Sequence, residues 1–324
     1  MNKVKEIIFA KKLILPSNAA NTLQSLNMAY GFANKGAKTF FYPGIKGKKV
    51  NQTLKNTLYI HNINPSPHIK TKKIRAHSKG AYGLLFRFFI IYKWLTSNKK
   101  IFYARDVKEG SLLARLKKYF PHKNYFFYEM HEVLHIQHHT QNPKKSKKYK
   151  NKEKLILAQT DGLIAINEKV LHQAKQHFNS IPNSSVVPMG FNEKTFKPRK
   201  NYRLHNPIRL CYAGSLYQEK GLDLLVEAFS ILPNNHVLTI IGGSPSSRIK
   251  ELQDKINALG IPKNRVFFTG NISPKEVGKY LSISDIFIIP QTTNQEFFSP
   301  IKIFEAFGSG LPIIATPIPA FESI

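Results

Sequence analysis

The sequence of 324 residues has a single cysteine, few acidic residues and no long uninterrupted hydrophobic run. One cysteine, Cys211, excludes a disulfide framework and any zinc or iron–sulfur site built from several cysteines, and it fits a reducing cytosol. No stretch approaches the roughly 20 uncharged apolar residues that a membrane-spanning helix needs. Met1–Ser17 is interrupted by lysines and does not have the pattern of a signal peptide.

The shortage of acidic residues is confined to one half of the chain. The sequence has 49 Lys and Arg against 19 Asp and Glu, a formal net charge of +30. Residues 1–200 hold 38 basic against 9 acidic residues, whereas residues 201–324 hold 11 against 10. A general bias toward lysine would enrich both halves, so we expect the first half to face an anionic partner.

The chain contains ample material for two hydrophobic cores. Hydrophobic residues make up 42 % of the sequence, and a length of 324 residues predicts two domains. Continuous apolar runs, typical of parallel strands covered on both faces, are followed by helical patterns such as Leu222–Leu232. The predicted strands are Glu6–Leu15, Lys38–Gly44, Lys100–Asp106, Asn124–His131, Gly162–Asn167, Ser184–Gly190, Arg209–Gly214, Val237–Gly243, Arg265–Gly270, Asp285–Pro290 and Pro312–Thr316.

This alternation predicts an α/β protein with two doubly wound domains. The polar, basic stretch Asn192–Asn206 separates a predicted domain of residues 1–195 from one of residues 205–324. Two segments break the pattern. Asn142–Lys154 carries seven lysines and is predicted to be a solvated loop. Gly83–Leu95 is apolar almost all round and follows a basic run, so it is either a buried helix or a helix in the interface of an anionic membrane.

The run His131-Glu132-Val133-Leu134-His135 matches the HExxH pattern of zinc proteases. That chemistry needs both histidines on one face of a helix, but His131 directly follows the predicted strand. We therefore predict no metal site here. A polar residue just past the carboxyl end of a parallel strand belongs instead in the ligand crevice of an open α/β sheet.

Two helix starts in the second half have the features of a phosphate site. Gly214 and Lys220 lie in a strand-to-helix turn, where amides and a lysine favour an anion, although a turn with a surface lysine is a common arrangement. Ser299 and Pro300 form a strong helix start, and Glu305 follows on that helix. Glu305 could bind a ribose, or be an exposed glutamate of a well-capped structural helix.

The second half carries motifs whose order and spacing are specific to one family. They are CYAGSLYQEKGLDLLVEAFSIL, VLTIIGG, NRVFFTGNISPKEVGKYLSISDIFIIP and SPIKIFEAFGSGLPIIAT. The chain resembles the retaining, nucleotide-sugar-dependent glycosyltransferases of the GT-B fold, called glycosyl transferases group 1 or family four. The first half matches more loosely through PSNAANTLQSLNMAYGFANKG, YARD, YEMHE, TDGLIAINEKV and VVPMGFNEKTFKP. The resemblance covers nearly the whole chain.

The resemblance implies two Rossmann-like domains facing a cleft, with the acceptor domain first and the donor domain second. It implies catalytic roles for His131, near the transferred sugar, and Lys220, at the donor diphosphate. The implied donor-binding residues are Gly214, Ser215, Lys220, Gly242, Gly243, Val266, Phe268, Ser299, Pro300, Ile301, Lys302 and Glu305, and the Arg265–Phe268 run would border the base. The implied acceptor-side residues are Ser17, Asn18, Thr22 and Arg105.

Three features depart from the family pattern. Ser215 stands where the family often has arginine, which leaves more of the phosphate charge to Lys220. Phe297 stands where the family often has a second glutamate, with Glu296 beside it. Members of the family continue with further strands and a terminal helix beyond the point that corresponds to Ile324, so we expect the second domain to be incomplete and the activity of this chain to be in doubt.

The expected function is transfer of a sugar from a nucleotide-diphosphate donor to a lipid-linked or cell-surface glycan of the cell envelope, with retention, no metal and no cofactor beyond the nucleotide sugar. The basic first half predicts a peripheral position on the inner face of the cell membrane. The alternative is a basic nucleic-acid- or nucleotide-binding protein without transferase activity. We expect no nucleic-acid partner, because nothing in the sequence resembles a nucleic-acid-binding module.

Overall fold

The structure, a computed structural model, describes residues 6–17, 20–45, 50–75, 79–139, 142–199, 202–292, 301–318 and 321. The chain divides into two compact units, Met1–Pro188 (unit 1) and Met189–Ile324 (unit 2). The first unit thus ends at Pro188, whereas the first domain was predicted to end at residue 195. The reason is that Phe196 packs in the core of unit 2, and Arg199 and His205 both bind the buried carboxylate of Asp285 in that unit.

The described part of unit 1 alternates strands and helices. Its strands are β1 Glu6–Ala10, β2 Ile14–Leu15, β3 Lys38–Phe41, β4 Gly44–Ile45, β5 Ile69–Thr71, β6 Ile74–Arg75, β7 Ile101–Ala104, β8 Tyr125–Met130, β9 Gly162–Ala165 and β10 Ser184–Val186. Its helices are α1 Ala20–Asn34, α2 Val50–Ile60, α3 Lys79–Thr96, α4 Val107–Tyr119, α5 Leu134–Gln137, α6 Pro143–Gln159 and α7 Glu168–His177.

The described strands of unit 1 form a parallel seven-stranded sheet in the order β10-β9-β8-β7-β1-β3-β5 and a small sheet in the order β2-β4-β6. The predicted strand Glu6–Leu15 is in fact two strands in two sheets, as is Lys38–Gly44. The chain bends after β1, where Lys11 N donates to Phe9 O and the Lys11 side chain turns inward to Asp106 at 2.6 Å. Strand order reverses between β1 and β7, so the carboxyl ends of these two strands form the switch point of the sheet.

The predicted loop Asn142–Lys154 is helical, and this prediction was wrong. Asn142 caps α6 by accepting a hydrogen bond from Lys145 N, and Pro143 occupies the first turn. Glu153, Ile156 and Leu157 bury one face of α6, while most of its lysines lie on the exposed face. The burial of this face supplies the stability that the lysine-rich local sequence does not reveal.

Helix α3 has two apolar faces with different surroundings. Tyr82, Phe86, Ile90 and Trp94, spaced four residues apart, are fully buried. The other side carries exposed apolar side chains, which we call the α3 stripe: Leu84, Leu85, Phe88, Tyr92 and Leu95. A helix buried all round is therefore excluded. Among the described residues, no helix is long and apolar enough to cross a membrane.

The described part of unit 2 has strands β11 Ile208–Ala213, β12 His236–Ile241, β13 Val266–Gly270, β14 Ile286–Ile289 and β15 Ile313–Ala315. Its helices are α8 Leu222–Ser230, α9 Ser247–Ala258, α10 Pro274–Ser282 and α11 Ile301–Gly308. The strands form a parallel sheet in the order β13-β12-β11-β14-β15, which confirms the predicted doubly wound α/β class. The order reverses between β11 and β14, which places the switch point of this sheet at their carboxyl ends.

Candidate functional site

The switch point of unit 2 brings the turn that carries Lys220 next to the segment that follows β14. Lys220 follows β11, and Gln291 follows β14. Lys220 Nζ donates to Gln291 Oε1 over 3.4 Å, so the lysine of the phosphate turn lies at the point where ligands of open α/β sheets bind. Lys220 is half-buried, and this burial lowers its pKa, which the charge of Glu219 partly opposes.

Two glycines allow the loops at this edge to approach one another. A Cβ on Gly242, which follows β12 and has φ +148°, would lie 1.9 Å from the carbonyl oxygen of Gly214. A Cβ on Gly221, with φ +71°, would lie 1.7 Å from the carbonyl oxygen of Pro290. Any side chain at either position would separate the loops. The neighbouring Gly243 closely approaches the backbone after β13, and Ser215 accepts a hydrogen bond from Tyr212 through its carbonyl oxygen.

Helix α11 follows β14 and so begins at the same edge of the sheet. Glu305 is 2 % exposed and its Oε2 accepts a hydrogen bond from Lys302 Nζ at 2.7 Å. Glu305 is therefore not an exposed glutamate. It is a buried carboxylate paired with the half-exposed Lys302. Ile301 is the first residue of α11, whereas the predicted residues Ser299 and Pro300 lie outside the described part of the chain.

The run Arg265–Phe268, predicted to border the base, packs partly into the core of unit 2, and its contact with a base remains a prediction. The Val266 side chain is buried in the core cluster of unit 2 and Phe268 packs against that cluster. The Arg265 guanidinium donates to the carbonyl oxygens of Leu232 and Pro233, which follow α8. These hydrogen bonds tie the amino end of β13 to the segment between α8 and β12.

At the carboxyl ends of β7 and β8 in unit 1, Arg105, Glu129 and His131 form a buried ionic network. Arg105 Nε donates to Glu129 Oε1 over 3.2 Å, and Arg105 Nη2 lies 2.9 Å from His131 Nε2. His131 Nε2 donates to Glu129 Oε1 over 2.6 Å, and Tyr103 donates to the other carboxylate oxygen. Burial raises the pKa of Glu129, but the His131 hydrogen bond, the Arg105 charge and the Tyr103 hydroxyl together hold it below its ordinary value.

Helix α1 completes this network from the other side. Arg105 donates to Ser25 Oγ over 2.9 Å and to Gln24 Oε1 over 3.2 Å, so the guanidinium is buried and fully engaged. Arg105 therefore holds neighbouring side chains in place, and its predicted acceptor contact remains a prediction, whereas the His131 side chain stays one-quarter exposed. Thr22 donates to Ser17 Oγ over 3.0 Å in the loop before α1, and Asn18 lies outside the described residues.

The two histidines of the HExxH run have separate environments. His131 follows the end of β8, and the helix begins only at Leu134. His135 Nδ1 donates to Glu153 Oε2 over 2.8 Å, and its other ring nitrogen faces His177. Burial lowers the pKa of His135 to about 4 and raises that of Glu153 to about 7. In the part of the chain that the structure describes, no group of three or more His, Cys, Asp or Glu could hold a metal ion.

Two site residues were missed from the sequence. Glu129 lies inside the apolar run Tyr125–Met130, and a carboxylate in a buried strand must be paired, which was the available signal. Gln291 follows β14 and is 1 % exposed. No local pattern marks Gln291, because its contact with Lys220 depends on the adjacency of β11 and β14.

Comparison with known proteins identifies the family that unit 2 matches. Residues 207–324 match the family model described as Glycosyl transferases group 1. This part of the chain belongs to the glycosyl transferases group 1 family. Over 246 residues the chain is 24 % identical to the uncharacterized glycosyltransferase MJ1069 of Methanocaldococcus jannaschii, covering 73 % of this chain and 55 % of that relative. The chain thus spans about half the length of this member of the family.

Solved structures extend the likeness to both units. Sucrose-phosphate synthase from Thermosynechococcus elongatus aligns with a TM-score of 0.69 and 16 % identity, covering 98 % of this chain and 82 % of that one. Anabaena Alr3699/HepE in complex with UDP aligns with a TM-score of 0.66 and 17 % identity, covering 97 % and 81 %. At these identities the likeness shows the fold: the chain has the two-unit α/β fold known as GT-B.

Proposed function

We propose that the chain is a glycosyltransferase that moves a sugar from a nucleotide-diphosphate donor held by unit 2 to an acceptor held by unit 1. The observation that carries this proposal is the Lys220–Gln291 contact at the switch point of the unit that belongs to the family. A structural neighbour bound to UDP supports uridine diphosphate as the nucleotide to test first.

The proposed reaction retains the configuration of the sugar and needs no metal. The bond between the anomeric carbon and the diphosphate oxygen breaks, and an acceptor hydroxyl forms the new bond on the same face. Its proton passes to the departing diphosphate. Lys220 and the first amides of α11 stabilise the charge that develops on that diphosphate, which is the largest contribution in catalysis of this kind. Glu305 binds the ribose, and His131 contacts the transferred sugar.

The decisive experiment combines binding with transfer on the chain of 324 residues. We expect UDP at 100 times its Kd to stabilise the protein by about 2.7 kcal/mol, visible as a rise in Tm. A labelled sugar should pass from a UDP-sugar to a glycan acceptor with or without a chelator present. If no nucleoside diphosphate raises the Tm, the donor site is misplaced. If nucleotide binds and no acceptor is ever labelled, the chain is a nucleotide-binding protein.

We propose further that unit 1 works on the inner face of an anionic cell membrane, where lipid-linked or cell-surface glycans would be the acceptors. Between Glu6 and Asp106 the sequence has 18 Lys and Arg and no Asp or Glu. The α3 stripe lies in this segment. Phe89 is also a residue of α3, and Lys72 Nζ lies 4.3 Å from its ring centroid. Exposed apolar side chains among uncompensated cations favour the surface of an anionic bilayer.

We expect the protein to float with vesicles of anionic lipid and not with vesicles of neutral lipid, and we expect salt to weaken this binding. Replacing Leu84, Phe88 and Tyr92 with Ser should reduce the bound fraction about tenfold or more, because buried apolar area drives insertion. The matched control, Leu224→Ser with Ile231→Ser, removes exposed apolar side chains from unit 2 and should leave flotation unchanged. Equal binding to neutral vesicles, or retention of nucleic acid without vesicle binding, would contradict the proposal.

A further inference from the structure

A cavity of about 620 Å³ lies at the switch point of the large sheet of unit 1. Lys12, which follows β1, and Asp106–Glu109, which follow β7, bring the carboxyl ends of both central strands to its wall. Helix α3 forms another wall through Gly80, Gly83, Leu84 and Arg87. None of these residues belongs to the donor site or to the Arg105 network. Ligands of open α/β sheets bind at such a point, so the cavity is a candidate acceptor site.

The cavity has an excess of positive charge. Lys12, Arg87 and Lys108 line it. Arg87 and Lys108 are exposed, and neither side chain forms a hydrogen bond or an ion pair with any residue that the structure describes. Burial lowers the pKa of the neighbouring Lys152, and nearby cations that include Lys108 and Arg87 lower it further. The second effect is the one expected from an excess of positive charge.

The two carboxylates in the wall do not cancel this charge. Asp106 is paired with Lys11 at 2.6 Å. Glu109 is buried, and burial raises its pKa, with the Asp106 charge adding to the effect. With Lys11 beside Asp106, the wall holds the four cations Lys11, Lys12, Arg87 and Lys108 against two carboxylates, so its net charge stays positive.

The amino end of α4 adds to the positive potential of the cavity. Asp106 occupies the N-cap position of this helix of 13 residues, but its side chain makes no capping hydrogen bond, because it is turned to Lys11. The first-turn residues Val107, Lys108 and Glu109 line the cavity. The positive end of a helix dipole therefore adds to the cations of Lys12, Arg87 and Lys108 in favouring an anion.

One wall of the cavity is apolar and continues onto the surface. Leu84 lines the cavity and is 71 % exposed, so it belongs to the wall and to the α3 stripe at the same time. Leu134 and Tyr149 add apolar surface opposite to it. A ligand with an anionic head in the cavity could therefore extend an apolar chain past Leu84 toward Phe88 and Tyr92.

We infer that this cavity binds the phosphate or diphosphate head of a lipid-linked acceptor whose hydrocarbon chain lies along the α3 stripe. This inference rests on the proposed function and deepens it, because it identifies the acceptor as a phosphorylated lipid. Arg87 and Lys108 bind the phosphate oxygens, and Leu84 and Phe88 contact the hydrocarbon.

Calorimetric titration of the full chain with three soluble probes tests this inference. We expect geranyl diphosphate to bind, inorganic pyrophosphate to bind at least tenfold more weakly, and geraniol to show no binding. The double variant Arg87→Gln with Lys108→Gln should weaken both diphosphate probes about 10–100-fold, as expected for charge-assisted contacts. Leu84→Ser with Phe88→Ser should weaken geranyl diphosphate alone.

A matched control and two further measurements separate the alternatives. Lys118→Gln with Lys175→Gln removes the same charge from exposed positions elsewhere in unit 1 and should leave all three titrations unchanged. An equal loss in this control would show a general charge effect, and equal affinity for pyrophosphate and geranyl diphosphate would show a site for free phosphate. Either result would overturn the inference.

If Arg87→Gln with Lys108→Gln lowers only the flotation with anionic vesicles, the cavity edge binds bulk lipid headgroups and the inference is wrong. The proposed function is judged by a separate measurement, UDP binding to unit 2. We expect the variant Lys220→Met to keep its affinity for geranyl diphosphate. A chain that binds geranyl diphosphate but no nucleotide would contradict the proposed function and leave the cavity site in place.

Discussion

The Lys220→Met protein is expected to bind UDP about 10–100-fold more weakly than the unchanged chain. Lys220 is half-buried at the switch point of unit 2, where its ammonium group is partly desolvated and held by Gln291. A charge-assisted contact with a diphosphate is worth on the order of 1.5–3 kcal/mol, and methionine keeps the length of the side chain without its charge. Calorimetric titration with UDP measures the loss directly.

Two comparisons make this result specific to the site. Lys279→Met removes an exposed lysine of α10 in the same unit and should leave UDP binding unchanged. Glu305→Gln should weaken UDP but leave inorganic pyrophosphate unaffected, because the proposed role of Glu305 is to accept the ribose hydroxyls. UDP affinity that survives in both Lys220→Met and Glu305→Gln would remove the donor site from this edge of the sheet.

The Glu129→Ala protein is expected to lose about 3–5 kcal/mol of unfolding free energy at pH 7, the range for removing one partner of a buried ion pair. The Arg105 guanidinium would stay buried without the carboxylate that it binds, and Tyr103 and His131 would lose their acceptor. The pKa of Glu129 is held below its ordinary value of 4.5. The stabilisation is therefore complete above that value and is lost as the pH falls through the lower pKa of the folded state.

Trp94 makes this measurement specific to unit 1. It is the single tryptophan of the chain and lies on the fully buried face of α3, so its fluorescence during urea unfolding reports on this unit alone. Glu168→Ala, at an exposed position in the first turn of α7, should cost less than about 1 kcal/mol. Arg105→Ala with Glu129→Ala should cost less than the sum of the two single changes, and strict additivity would show that the pair is not coupled.

The sequence predicted much of unit 2 because its signals are local. Each strand of the sheet is a short apolar run between polar turns, and the observed bounds of β11 to β15 differ from the predicted ones by at most two residues. The sequence alone predicted both the turn with Lys220 and the helix with Glu305. They could be found because a strand followed by a glycine-bearing turn and an amphipathic helix is a pattern within a single stretch of chain.

The roles of several side chains could not be predicted in this way. Val266 belongs to the core, and Arg265 donates a hydrogen bond to the carbonyl oxygen of Leu232, after the end of α8. The sequence did not show that four partners from α1, β8 and the segment after β8 surround the guanidinium of Arg105. The hydrogen-bond partners of Arg265 and Arg105 lie 24 or more positions away along the chain, which no local pattern contains.

The sequence by itself determined the α/β class, the strands β11 to β15 of unit 2, the family of residues 207–324 and the concentration of basic residues in the first half. Only the tertiary structure decided that the lysine-rich segment of α6 is a helix, that α3 buries one apolar face and exposes the other, and that the cavity lined by Arg87 lies at the carboxyl ends of β1 and β7. The physical reason is the same in all three. Hydrophobic periodicity predicts which residues are buried. Which neighbours cover those residues depends on the order in which distant strands pair.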